Sequence, residues 1–83
     1  LSLMWIVITR NQCNFCDTAK VLLKGMGQSY TEYNIETSSS KWVLALLKQA
    51  GHKTVPQVFS SDGTYIGGCA ELKELVGKFE GSI

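Results

Sequence analysis

The chain has 83 residues, enough for one domain, and its 45% hydrophobic against 18% charged residues excludes a disordered segment. A formal net charge of +1, with eight scattered lysines and arginines, excludes the basic footprint of a nucleic-acid binder and the polybasic patch of a membrane-surface protein. No apolar run reaches the ~18 residues of a membrane span, and no basic segment leads into a long apolar stretch, so the chain reads as a soluble cytoplasmic domain.

Leu1, Ser2 and Leu3 precede Met4, the natural candidate for a start, and read as residues added ahead of it; residues 1–83 otherwise form a single domain. Met4-Trp5-Ile6-Val7-Ile8 is a short, continuously apolar run, which predicts a strand buried on both faces. From Cys13 the period changes: Phe15, Ala19, Leu22, Leu23 and Met26 fall at helical spacing, and Gly25 and Gly27 supply the stop. Tyr30 to Ile35 reads as a second strand. Thr37, Ser38 and Ser39 offer N-caps for a helix whose apolar face is Val43, Leu46, Leu47 and Ala50, ending at Gly51. Val58-Phe59 and Tyr65-Ile66 flank the turn Ser61-Asp62-Gly63-Thr64 as a hairpin. Leu72, Leu75, Val76 and Phe79 mark a last helix. The order is β-α-β-α-β-β-α, an α/β domain with a right-handed crossover between the first two strands and one mixed four-stranded sheet flanked by three helices.

Three cysteines is an odd number, against a secreted disulfide framework. Cys13-Asn14-Phe15-Cys16 lies where the first strand gives way to the first helix. The free N–H groups of a helix's first turn, with the macrodipole, stabilise an anion there. A thiol so placed has its pKa lowered from about 8.5, and the thiolate is the attacking species. Cys13, at the helix start, is therefore the candidate nucleophile. Cys16, one turn deeper, is the candidate resolving thiol, and Arg10 adds positive charge nearby. The competing reading of this spacing is half a zinc site, for which only Cys69 and His52 remain as further ligands, and these do not form a second cluster.

Pro56 is the chain's single proline. Two readings stand for it: a plain strand entry, where no ladder N–H is needed, or a cis Val55–Pro56 bond that leaves the backbone of Val55 free to pair with an extended thiol peptide. Gly67-Gly68 reads as a tight turn into the last helix, whose N-terminus offers free N–H groups. Cys69 reads as a small buried side chain and His52 as a helix-end residue.

Four segments, Ile8-Thr9-Arg10, Cys13-Asn14-Phe15-Cys16, Thr54-Val55-Pro56-Gln57-Val58-Phe59 and Ile66-Gly67-Gly68-Cys69, occur in the order and approximate spacing of the glutaredoxins, which the chain resembles over almost its whole length. The short bacterial and bacteriophage members look closest. The resemblance implies a thioredoxin fold, a cis Pro56, a monomer with no tightly bound cofactor or metal, and glutathione as co-substrate. It implies protein disulfides as substrates, with ribonucleotide reductase a plausible recipient of electrons. By the same resemblance Arg10 matches the basic position that holds the glycine carboxylate of glutathione, and Phe15 stands beside the tripeptide where Tyr is usual. Thr54, Val55 and Pro56 match the segment that pairs with the cysteinyl unit. Gly68, Cys69 and Ala70 match the backbone donors to the γ-glutamyl end.

Two positions depart from the family's pattern. Ala70 replaces the usual Asp, removing a charge-assisted hydrogen bond worth ~1.5–3 kcal/mol when well formed, with the low end expected at an exposed site. Glu71, one position on, is expected to point elsewhere. Asn14 replaces the common proline, and members lacking that proline resemble iron–sulfur cluster binders in which two copies share the centre through the first Cys and glutathione. A thioredoxin-like electron donor served by a flavin reductase is the remaining alternative. It is disfavoured by the absence of Trp-Cys-Gly-Pro-Cys and by the presence of Arg10 and Gly67-Gly68.

Overall fold

The computed structural model describes residues 4–52 and 54–81, the last three as backbone. The expectations for Leu1–Leu3 and for the side chain of Phe79 lie outside the described residues. In chain order the elements are β1 (Trp5–Thr9), α1 (Asn14–Gly25), β2 (Tyr30–Asn34), α2 (Lys41–Gln49), β3 (Gln57–Phe59), β4 (Tyr65–Gly67) and α3 (Cys69–Gly81). The sheet runs β2-β1-β3-β4. β1 and β2 are parallel, from Trp5 opposite Tyr30 to Thr9 opposite Asn34, while β3 is antiparallel to both β1 and β4. This is the mixed, helix-flanked sheet of the thioredoxin fold.

β1 reads as a continuous apolar run because it is covered on both sides. Val7 faces one way, into a core with Ala19 and Leu23 of α1, Val58 of β3 and Leu72 of α3. Ile8 faces the other way, against Val43 and Leu47 of α2, with Ile6, Tyr33 and Phe59 around them. Each fully buried aliphatic side chain contributes ~1.5–3 kcal/mol, so the central strand is held by both layers at once.

The ends of α2 differ from the sequence reading in two ways. Ser38–Ser40 forms a single 3-10 turn, and Ser40, which is buried, is the N-cap of α2 without a side-chain cap bond. Thr37 is the N-cap of that 3-10 turn, not of α2, and makes no side-chain cap bond; its hydroxyl donates to the Asn34 carbonyl at 2.6 Å. Short hydroxyl side chains compete in this way for adjacent backbone groups. Of the four apolar residues expected on one face, Val43 and Leu47 are buried and Leu46 and Ala50 are exposed. One sheet contact covers a narrower stripe than the sequence period allows, and Leu46 falls on its flank.

The C-terminus of α2 bears on the site. Gly51 adopts φ +83°, the left-handed turn that glycine takes without a Cβ penalty. The N–H of Gly51 then bonds the Lys48 carbonyl and that of His52 bonds the Leu47 carbonyl, at 3.1 and 2.9 Å. His52 is a helix-end residue, as its position predicts, and the chain leaves it heading for Thr54. The β3–β4 turn closes through Ser60 N–H to the Thr64 carbonyl at 2.8 Å.

Candidate active site

β1 ends at Thr9, and after three intervening residues Cys13 becomes the N-cap of α1 in an extended conformation (φ −122°, ψ 102°). Its Sγ accepts the Cys16 N–H at 3.2 Å. A sulfur at this point faces the unpaired donors of the first helical turn and the positive end of the helix, which stabilise a thiolate over a thiol. Cys16 sits one turn on, and the two form a disulfide with a Cα–Cα separation of 5.2 Å. Cys13 is 7% exposed and Cys16 1%. Cys13 is the more exposed of the two, but the expected open mouth there is almost closed in the oxidised pair.

The loop before Cys13 is moored to the loop after β2. Asn11 N–H donates to Glu36 Oε2 at 2.5 Å, and Asn34 Nδ2 donates to Asn11 Oδ1 at 2.8 Å. Gln12, between Asn11 and Cys13, has φ +51°.

A groove of about 420 Å³, which neither cysteine lines, is formed by Arg10, Ile35, Leu44, Leu47, Lys48, His52, Thr54 and Val55. The fold thus brings Arg10 to Thr54 and Val55, as the sequence reading requires. It adds Lys48 and His52, which that reading did not place in a site. None of the described lining residues is acidic, so the groove favours an anionic occupant. The Val55–Pro56 bond is cis, which decides between the two readings of Pro56. Pro56 is buried directly before β3, where its missing N–H leaves no ladder bond unmade.

Three part-buried hydrogen bonds tie the Thr54–Pro56 segment through Gln57 to Tyr65. Gln57 Nε2 donates to the Thr54 carbonyl at 2.6 Å and to Thr54 Oγ1 at 3.3 Å, and the Tyr65 hydroxyl donates to Gln57 Oε1 at 2.5 Å. The Tyr65 ring in turn lies 4.7 Å from His52 and 5.3 Å from Phe59, centroid to centroid. Gln57, an amide at the start of a buried strand, was the signal in the sequence for such a tie.

Gly68 is packed against this segment: a Cβ there would lie 3.3 Å from the Pro56 carbonyl oxygen. Its N–H, however, is taken. Glu71 reaches back across Gly67 and accepts that N–H at 2.7 Å through Oε1, as an N3 carboxylate does for an N-cap. The expectation of a free donor at Gly68, and of Glu71 pointing elsewhere, is corrected. The N3 position of a helix aims a carboxylate at its own N-cap. Cys69 is a free, buried cysteine, and Ala70 is exposed. Phe15 is 66% exposed and lies outside the groove lining. Among the described residues no three of His, Cys, Asp and Glu gather as a metal-ligand set.

The family model for glutaredoxins matches residues 6–66. Glutaredoxin 3 of Escherichia coli K12 is 38% identical over 69 residues, covering 83% of this chain and 81% of that protein. Among solved structures, glutaredoxin 1 of Francisella tularensis, complexed with cacodylate, superposes with a TM-score of 0.70 at 28% identity, covering 94% of this chain and 96% of that one. A buckwheat glutaredoxin–glutathione complex superposes with a TM-score of 0.71 at 32% identity over 84% of this chain and 64% of that one. A dithiol seated at a strand-to-helix corner, on a sheet of this order and with these relatives, leaves one assignment: the chain belongs to the glutaredoxin family of thiol–disulfide oxidoreductases.

Proposed function

We propose that this glutaredoxin reduces protein disulfides and glutathione mixed disulfides with electrons from glutathione, Cys13 attacking and Cys16 resolving. The observation that carries the reading is the seat of Cys13: its Sγ faces the first turn of α1, three residues after Arg10, which lines a groove with Lys48 and no described carboxylate. A tripeptide with two carboxylates suits such a groove, and the buckwheat relative is described as a complex with glutathione. In this reading Arg10 meets the glycine carboxylate, and Thr54 and Val55, ahead of Pro56, align the cysteinyl unit. Cys69 and Ala70 offer N–H groups to the γ-glutamyl carboxylate, while the Gly68 N–H stays with Glu71, and Phe15 covers the peptide from the exposed side.

The electrons balance in two exchanges. The Cys13 thiolate attacks one sulfur of the substrate disulfide and expels the other as a thiolate. Cys16 then loses its proton and attacks the mixed disulfide at Cys13, releasing the second substrate thiolate and leaving the Cys13–Cys16 disulfide. Two glutathione molecules reduce that disulfide and leave as glutathione disulfide. The chain acts as a monomer in the reducing cytoplasm, and no helix among the described residues is long and apolar enough to cross a membrane.

The test is steady-state reduction of a small glutathione mixed disulfide, with glutathione and glutathione reductase supplying electrons. Turnover is expected in the parent and in Cys16→Ser, and none in Cys13→Ser. Reduction of a protein disulfide is expected to vanish in both variants. Turnover with a thioredoxin reductase but none with glutathione would reject glutathione as the donor.

A further inference from the structure

We infer that Glu36, with Asn34 and Asn11, is a positioning device for the nucleophile: the three residues hold Gln12 in a left-handed turn and thereby keep Cys13 Sγ on the N-terminus of α1. This rests on the reading of Cys13 as the attacking thiol. The starting observation is the backbone of Gln12, φ +51°, in a region that side chains with a Cβ rarely enter. It lies immediately before the N-cap cysteine, so its conformation aims the chain into α1. A left-handed residue that is neither glycine nor asparagine persists only where its neighbours hold it.

Those neighbours are Glu36 and Asn34, acting on Asn11. The Glu36 carboxylate accepts the Asn11 N–H at 2.5 Å, and the Asn34 side-chain amide donates to Asn11 Oδ1 at 2.8 Å, both across more than twenty residues of sequence. Asn34 is itself fixed from three sides. Its Oδ1 accepts the Glu36 N–H at 2.9 Å, and its carbonyl accepts the Thr37 hydroxyl at 2.6 Å and the Thr37 N–H at 3.0 Å. Ile35 N–H reaches the Thr9 carbonyl at 2.9 Å, extending the β1–β2 ladder to the base of both loops. Asn11 is thus held by backbone and side chain against a rigid support, and the remaining freedom before Cys13 is one residue, Gln12.

Without the Glu36 bond, Gln12 relaxes to negative φ and Cys13 Sγ leaves the Cys16 N–H. The sulfur then loses the donors that stabilise its thiolate. Glu36 acts through its acceptor oxygen and not its charge, because a carboxylate close to a thiolate would oppose it.

The experiment reads the rate of iodoacetamide alkylation at Cys13 in the reduced full chain at pH 7, mapped by peptide mass spectrometry, which needs no electron donor. Glu36→Ala is expected to slow alkylation of Cys13 about tenfold. Glu36→Gln, which keeps an acceptor at the same place, is expected to stay within about twofold of the parent. Adding Gln12→Gly to Glu36→Ala is expected to recover part of the loss, since glycine takes positive φ unaided. Loss of global stability moves the readout the other way, because partial unfolding exposes both cysteines and speeds their alkylation. A parent rate in Glu36→Ala, a Glu36→Gln as slow as Glu36→Ala, or no recovery on adding Gln12→Gly would each overturn the inference. Failure of the nucleophile reading shows separately: Cys16, not Cys13, would then be the fast-alkylating thiol in the parent.

Discussion

The two faces of the sheet are covered unequally. On one side α1 and α3 close over β1 and β3, and Val7, Ala19, Leu23, Val58 and Leu72 are sealed from solvent. On the other side α2 stands alone, leaving an apolar groove of about 460 Å³ lined by residues such as Ile6, Tyr33, Phe59, Trp42 and Leu46. Trp42 and Leu46 are each 56% exposed there. The disulfide rides on α1, the helix of the closed face. The cationic groove, by contrast, is lined in part by α2 residues Leu44, Leu47 and Lys48. The disulfide thus rides on the densely packed side, while both grooves lie on the sparsely covered one.

The comparison is broken most directly by removing one leucine from each side. Leu23→Ala opens a cavity in the closed face and is expected to cost ~2–5 kcal/mol in urea unfolding. Leu46→Ala, on the flank of α2, is expected to stay within ~0.5 kcal/mol. Similar losses for the two would mean that α2 seals its face as tightly as α1 and α3 do.

A polar seam runs through the closed face and sharpens the contrast. Fully buried Thr9 donates to Glu32 Oε2 at 2.6 Å, and Glu32 pairs with Lys20 at 3.3 Å, with Asp17 3.5 Å from the same ammonium. Burial pulls the Lys20 pKa down, but the hydrogen bond and charge of Glu32, with Asp17 added, outweigh it and leave the pKa above its ordinary 10.5. Thr9→Val is expected to cost about 0.5–1.5 kcal/mol, because it removes a buried hydroxyl's hydrogen bond to the partly exposed Glu32 carboxylate. Lys20→Met is expected to cost less than ~1 kcal/mol, and less again in high salt, because its ion pairs are partly solvated. Unfolding curves at two ionic strengths separate the two effects.

The smallest effect belongs to the β3–β4 turn, outside both faces. The Ser60 hydroxyl first, and then the Thr64 N–H, hold the fully exposed Asp62 carboxyl at about 2, below its ordinary 3.8. A carboxylate with a depressed folded-state pKa adds stability that is complete above its unfolded value and fades as the pH falls through the folded one. Asp62→Asn is therefore expected to lower stability slightly above about pH 4 and to flatten the slight decline between about pH 4 and pH 2, so that parent and variant converge in acid. A thermal melt series across that interval reads it.

Local chemistry was legible from the residues themselves. The apolar run of β1, the change of period at Cys13, the Asp62-Gly63 turn and the glycine stops of α1 and α2 are each decided within a few residues, where backbone sterics and burial act. The cysteine pair at a helix start followed from the same local rules, and so did the element order. What the sequence left open was everything that depends on which distant residue arrives as a neighbour. Leu46 and Leu47 have the same side chain, and only the sheet's width decides that one is buried and the other exposed. Arg10, Lys48 and Val55 meet in one groove because β1, α2 and the turn before β3 converge, which no spacing in the chain encodes. Glu71 takes the Gly68 N–H, and Glu36 the Asn11 N–H, because each donor lay within reach once the backbone was placed. Period and propensity are properties of a segment, whereas a hydrogen-bond partner or a groove wall belongs to the assembled fold.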